Sequence, residues 1–197
     1  MSLMTFAEQL ERHMPKPDPG VRPFVCDGSP LDCPVFVVGS NPATQMPFRQ
    51  YWKPDEGGFQ KRKFMNDYLQ KGRTKLHPTI TRARLALIGE NVRTIETNIY
   101  PMASKERASL KPEYRNTEIF RFLFRTLKPT LVWAHGADAQ RFFSDELRCE
   151  SWKEGELNEA EWQNHPFWLL VTPHLSRRVR DDQVREWARL VSNQCAR

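Results

Sequence analysis

The chain has 197 residues, 39% hydrophobic and 11% aromatic, with six Trp, twelve Phe and a net charge of +6. That many ring side chains can build a sizeable core, which excludes wholesale disorder. No apolar run reaches the roughly 18 residues a membrane-spanning helix needs.

Four cysteines, Cys26, Cys33, Cys149 and Cys195, do not make a disulfide framework at this size and read as reduced thiols in a cytoplasmic protein. No secretory signal is visible at the N-terminus, where Met1-Ser2-Leu3 ahead of Met4 reads as an added leader. Charge is unevenly placed. Residues 60–84 carry +7 and residues 173–197 carry +3, whereas residues 145–161 carry −5. One face would suit a polyanion and another would turn away from it, although solvated surface charge alone gives the same pattern.

In chain order, Thr5-Phe6-Ala7-Glu8 has the form of a capping box and predicts a short helix from Phe6 to His13. Residues 1–33 are otherwise a lead-in. From Pro15 to Pro34 the prolines remove donors and fix φ, so this stretch reads as extended surface chain. Pro34-Val35-Phe36-Val37-Val38-Gly39 is a continuous apolar run ended by glycine, as in a strand buried on both faces. Three comparable runs follow at 93–98, 130–135 and 167–172, the first of them polar enough to predict an edge position. Helical spacing appears between them. Phe64, Tyr68 and Leu69 mark one helix, and Ile80, Ala83 and Leu87 another. Asn116 or Thr117 caps a third that Pro129 stops, Ala137–Leu147 forms a fourth, and Val184, Trp187, Ala188 and Val191 stripe the last. Residues 53–63 read as a polar insertion or flap. Alternating strands and helices predict a single α/β domain over residues 1–197, a three-layer α/β/α sandwich with a four-stranded parallel sheet.

In such folds ligands bind beyond the carboxyl ends of the strands. Those ends carry Gly39-Ser40-Asn41-Pro42-Ala43, then Asn98, then His135-Gly136, then His174-Leu175-Ser176-Arg177-Arg178. The set lacks the ligand clusters of a metal site and the Ser-His-Asp arrangement of a nucleophilic enzyme. Amides and imidazoles instead suit hydrogen bonding to a planar polar ring and the placing of a water.

With these residues in place, the chain resembles the uracil-DNA glycosylase superfamily over roughly residues 34–180. The first motif of its mismatch-specific and single-strand-selective branches is Gly-x-Asn-Pro-Gly; Gly39-Ser40-Asn41-Pro42-Ala43 matches it except for the final alanine. The second motif is His-Pro-Ser, and His174-Leu175-Ser176 stands there with leucine in the middle. The resemblance implies catalytic roles for Asn41, which holds a water, and His174, which stabilises the leaving base. It implies substrate contacts from Gly39, Ser40, Pro42 and Asn98, with Asn98 reading the base edge and Phe48 stacking on the base, Tyr51 standing behind it. Ser176, Arg177 and Arg178 would contact DNA. Outside the resemblance Asn41-Pro42 is also a common turn starter, Phe48 also fits a core, and His135, to which the resemblance gives no role, reads as structural. Some branches hold an iron–sulfur cluster, but the spacing of the cysteines here predicts none. The expected protein is therefore a cofactor-free, monomeric, DNA-binding glycosylase with no metal and no membrane partner. Two other readings stay open: a nucleic-acid-binding protein that keeps the fold without catalysis, and a hydrolase of free nucleosides or nucleotides.

Overall fold

The three apolar runs and the polar one that follows the first of them become neighbouring strands of one sheet. The computed structural model describes residues 1–16, 20–70, 87, 89–104, 109–175 and 179–196. Outside the described residues lie most of the expected helix around Ile80 and Ala83, the 71–84 part of the basic stretch, and Ser176, Arg177 and Arg178.

The elements are α1 (Leu3–His13), β1 (Phe24–Val25), β2 (Val35–Gly39), α2 (Phe48–Tyr51), β3 (Trp52–Lys53), β4 (Gly58–Phe59), α3 (Lys61–Gln70) and β5 (Thr94–Asn98). Then come α4 (Glu118–Leu127), β6 (Leu131–His135), α5 (Ala137–Leu147), β7 (Leu157–Trp162), β8 (His165–Thr172) and α6 (Asp181–Cys195). The central sheet has six strands in the order β1-β5-β2-β6-β8-β7, not four. β5, β2, β6 and β8 run parallel, and β1 and β7 close the two edges antiparallel.

Side chains alternate between the two faces. Phe36, Val38, Ile95, Val132, Ala134, Leu169 and Val171 join one buried cluster with residues of α1, α4 and α5. Val35, Val37, Leu131, Trp133 and Leu170 join a second with Val184, Trp187, Ala188 and Val191 of α6. Helices thus cover both faces. The strand-to-strand register is pinned inside the core by the Trp133 indole, which donates to Thr172 Oγ1 at 2.9 Å.

Several expectations are corrected. The 93–98 run is not at the edge: β1 pairs with its outer side, Thr97 Oγ1 donates to the Pro23 carbonyl at 2.6 Å, and Lys61 stands 4.0 Å from Glu96. Those partners let a polar strand sit inside a sheet. The proline-rich lead-in is not surface chain, because Val21, Phe24, Val25 and Cys26 are buried. Proline is tolerated there because β1 is an edge strand. The cap of α1 is Ser2, whose Oγ accepts from Thr5 N at 3.1 Å, so the helix starts three residues before Phe6. Residues 53–63 are no flap. β3 and β4 form a small hairpin, and Phe59 exchanges backbone hydrogen bonds with Gly28 at 2.8 and 3.2 Å. Leu69 is exposed at 41%, while Phe64 and Tyr68 carry the buried face of α3.

Candidate active site

Parallel pairing brings the last residues of four strands to one rim. Gly39 is directly opposite Asn98, and His135 is opposite Thr172 on the neighbouring pair. Beyond the strands the chains stay stitched together. Ile99 N donates to Gly39 O at 3.0 Å, Tyr100 N to Ser40 O at 2.9 Å and Ser104 N to Pro42 O at 2.8 Å. On the other side Gly136 N donates to Thr172 O at 2.9 Å, and the Gln140 amide donates to the same carbonyl at 2.8 Å.

Gly39 is the hinge of the arrangement. A Cβ placed on it would lie 2.9 Å from Asn98 Oδ1 and 3.1 Å from both Cε1 and Nε2 of His135. The missing side chain therefore lets the Asn98 amide and the His135 imidazole close in on one strand end. Gly136 plays the matching part for the second histidine. Its φ of +85° favours glycine, and a Cβ there would come within 2.9 Å of His174 Cδ2. The two imidazoles meet edge to face with centroids 5.1 Å apart. Gly39, Asn98, His135 and His174 thus form one group. His135 is the member the sequence reading left as structural. The available signal was its place as the last residue of the third strand, next to the glycine-ended one.

Asn41 has its side-chain amide nitrogen fixed, donating to Ser104 O at 2.8 Å and to Pro42 O at 3.2 Å. Both partners are carbonyls, which sets the amide orientation and leaves Oδ1 as the acceptor facing elsewhere. Pro42 is buried and Asn41 half-buried, so this segment lines the rim from a rigid base. Ser40 contributes a buried hydroxyl oxygen with no hydrogen-bond partner among the described residues. Such a group is costly unless a ligand or water satisfies it. Ala43 has no positive φ, so the backbone does not need the glycine of the motif. Leu175, the other departure, is fully buried in the α6-side cluster beside Val179. It holds the start of the His174 loop to the core as a hydrophobic anchor.

Phe48 is placed differently from the expectation. It is 1% exposed, roughly parallel to Trp52 and Phe59 at centroid distances of 5.9 and 5.7 Å and edge-on to Phe24 at 5.0 Å. No face of that ring is open to a base. Tyr51 is equally closed, donating to Asp67 Oδ2 at 2.9 Å; burial, then that bond, pushes its phenol up to about 12. Aromatic spacing after the first motif was a core signal here, not a stacking platform. Ser176, Arg177 and Arg178 lie outside the described residues.

Among the described residues no three His, Cys, Asp or Glu side chains are grouped to hold a metal ion, and no helix is long and apolar enough to cross a membrane. No protein-family model and no curated protein matches the chain.

Proposed function

We propose that the chain is a DNA glycosylase of the uracil-DNA glycosylase type, with the four parallel strands as its catalytic core. It hydrolyses the N-glycosidic bond of uracil, or of a related damaged base, flipped out of DNA. The observation that carries the reading is the close packing of Asn98 and His135 across Gly39, with His174 against His135 on the same rim.

A flat polar ring needs hydrogen bonds at its edge and a donor where charge develops as it leaves. Asn98 supplies the edge contact: Nδ2 donates to the base O4 and Oδ1 accepts from N3–H. Cytosine offers the opposite pattern at both positions and leaves the amide frustrated. Neutral His174 donates to the base oxygen that gains charge as the glycosidic bond breaks. One such donor is typically worth about 3–4 kcal/mol. Asn41, its nitrogen fixed on two carbonyls, uses Oδ1 to accept from the attacking water and aims it at the sugar carbon. The sugar passes through an oxocarbenium-like state, so no protein nucleophile is required. Ser40 gives its unpartnered hydroxyl to the bound nucleotide, and the edge of His135 holds His174 in place. Extruding the base costs a few kcal/mol, which basic residues gripping the phosphates offset. The protein acts as a monomer in the cytoplasm and needs no cofactor.

The test incubates the protein with uracil-containing single- and double-stranded oligonucleotides and cleaves abasic sites with alkali. Strand scission at the uracil is the expected result. Salt-sensitive binding without scission would replace this reading with a binding protein of the same fold. Hydrolysis indifferent to strand length would point to free nucleotides.

A further inference from the structure

At the other end of the sheet, before β2 begins, two cysteines share one turn. Cys26 and Cys33 are both buried, at 0% and 5% exposure, and both are free thiols. The turn between them contains a short 3-10 segment at Pro30–Asp32. It offers consecutive carbonyls to the two sulfurs: Cys26 Sγ donates to Gly28 O at 3.3 Å and Cys33 Sγ to Ser29 O at 3.6 Å. The sulfurs are therefore held at one spot by adjacent backbone groups. Cys33 also lines a cleft of about 740 Å³ whose wall includes Lys61, Arg62 and Arg93. Arg93 is fixed there, donating to the Asp27 carbonyl at 3.1 Å and lying 3.4 Å from Asp32.

We propose that Cys26 and Cys33 are a peroxide-reactive dithiol, with Cys33 the attacking sulfur and Cys26 the resolving one. The two thiols interact, and their acidities split. Once Cys33 is ionised the Cys26 thiol donates to its sulfur, and that bond, then the Arg93 guanidinium, holds Cys33 below the ordinary thiol range against the opposing effect of burial. The same hydrogen bond, then burial, pushes Cys26 far above it. On ionisation Cys33 gives up its bond to Ser29 O while Cys26 keeps its proton, so Cys33 is the thiolate that reacts. The Cys33 thiolate attacks one oxygen of a hydroperoxide, the O–O bond breaks, and the departing oxygen takes a proton to leave as water or an alcohol. Cys33 is now a sulfenic acid. Cys26 then attacks the Cys33 sulfur, its proton goes to the departing hydroxide, and water leaves as the S–S bond forms. Two electrons pass from the thiols to the peroxide, so the balance closes with no other reactant.

The remaining cysteines are built differently. Cys195 is raised by burial alone, and Cys149 donates its thiol to the Ser151 carbonyl at 3.1 Å. The proposal is independent of glycosylase activity. Its test treats the full chain with one equivalent of hydrogen peroxide, blocks free thiols by alkylation and maps peptides by mass spectrometry. A Cys26–Cys33 disulfide should form within single molecules, be reversed by a dithiol reductant, and appear at least about tenfold faster than oxidation at Cys195. Cys26→Ser should accumulate a Cys33 sulfenic acid that a cyclic dione traps, with a circular dichroism spectrum showing the variant folded. Cys33→Ser should leave Cys26 reduced. Oxidation of Cys149 or Cys195 ahead of Cys33, or a folded Cys26→Ser protein with Cys33 unlabelled, would overturn the assignment.

Discussion

Replacing Gly39 with alanine adds one methyl group to the point where the rim is tightest. The new carbon would sit 2.9 Å from Asn98 Oδ1 and 3.1 Å from two ring atoms of His135. A relaxed carbon–oxygen or carbon–carbon contact is nearer 3.5–4.0 Å, so the neighbours must retreat by roughly 0.5–1 Å. Gly39 has no positive φ, so alanine brings no backbone strain, and the effect is confined to the displaced side chains. Overpacking of this kind costs about 1–3 kcal/mol of stability. A misplacement near 1 Å at a catalytic group can cost about a hundredfold in rate. Gly39→Ala should therefore stay folded while its single-turnover rate on uracil DNA falls about a hundredfold. The assay is alkali cleavage of a uracil oligonucleotide with enzyme in excess, beside a thermal melt. A variant that melts within a few degrees of wild type and retains full rate would show that Asn98 and His135 do not form the reacting pocket.

His174→Ala should lower the hydrolysis rate by about 10²–10³ with DNA affinity nearly unchanged, measured as kcat against binding, because the donor acts mainly in the transition state. Asn98→Asp should lose most activity on uracil and gain weak activity on cytosine that rises as pH falls; matched oligonucleotides across pH report it, and an unchanged preference for uracil would remove Asn98 from the reading role. Leu175→Ala should cost about 2–5 kcal/mol in urea unfolding, since it empties a fully buried site under the His174 loop. Tyr51 has a phenol raised from the ordinary 10 to about 12, so its contribution is full below pH 10 and lost as pH rises toward 12. Stability of the wild type should fall over that window, and Tyr51→Phe should flatten the fall.

The parallel core was legible because its strands announce themselves in two ways. Val35–Gly39, Leu131–His135 and His165–Thr172 are nearly continuous apolar runs, and each ends on a residue that changes the chemistry. The edge strands were not. β1 is two residues long and sits among prolines, so its donors looked absent. In β7 Glu159 and Glu161 are exposed on the outer edge, and the alternation of Leu157-Asn158-Glu159-Ala160-Glu161-Trp162 registers as charge. The turn that joins it to β8 has Gln163 and Asn164 both at positive φ, at 55° and 59°, without the Asn-Gly pair that advertises such a hairpin. Gly39, Asn98 and His174, which the structure brings to one rim, stand at or just after strand ends that the runs marked in the sequence. His135 also ends a strand, but its closeness to Gly39 appears only in three dimensions, and Phe48 was over-read because an aromatic near a motif looks the same whether it faces a ligand or the core.

In the proposed reaction the rim recognises one base and releases it. Chromatography of free bases released from a single strand carrying one uracil among cytosines measures this directly, with wild type and Gly39→Ala run side by side. Uracil alone should appear from the wild type and be reduced about a hundredfold in the variant. No released base from the wild type, or equal release by both proteins, would contradict the account.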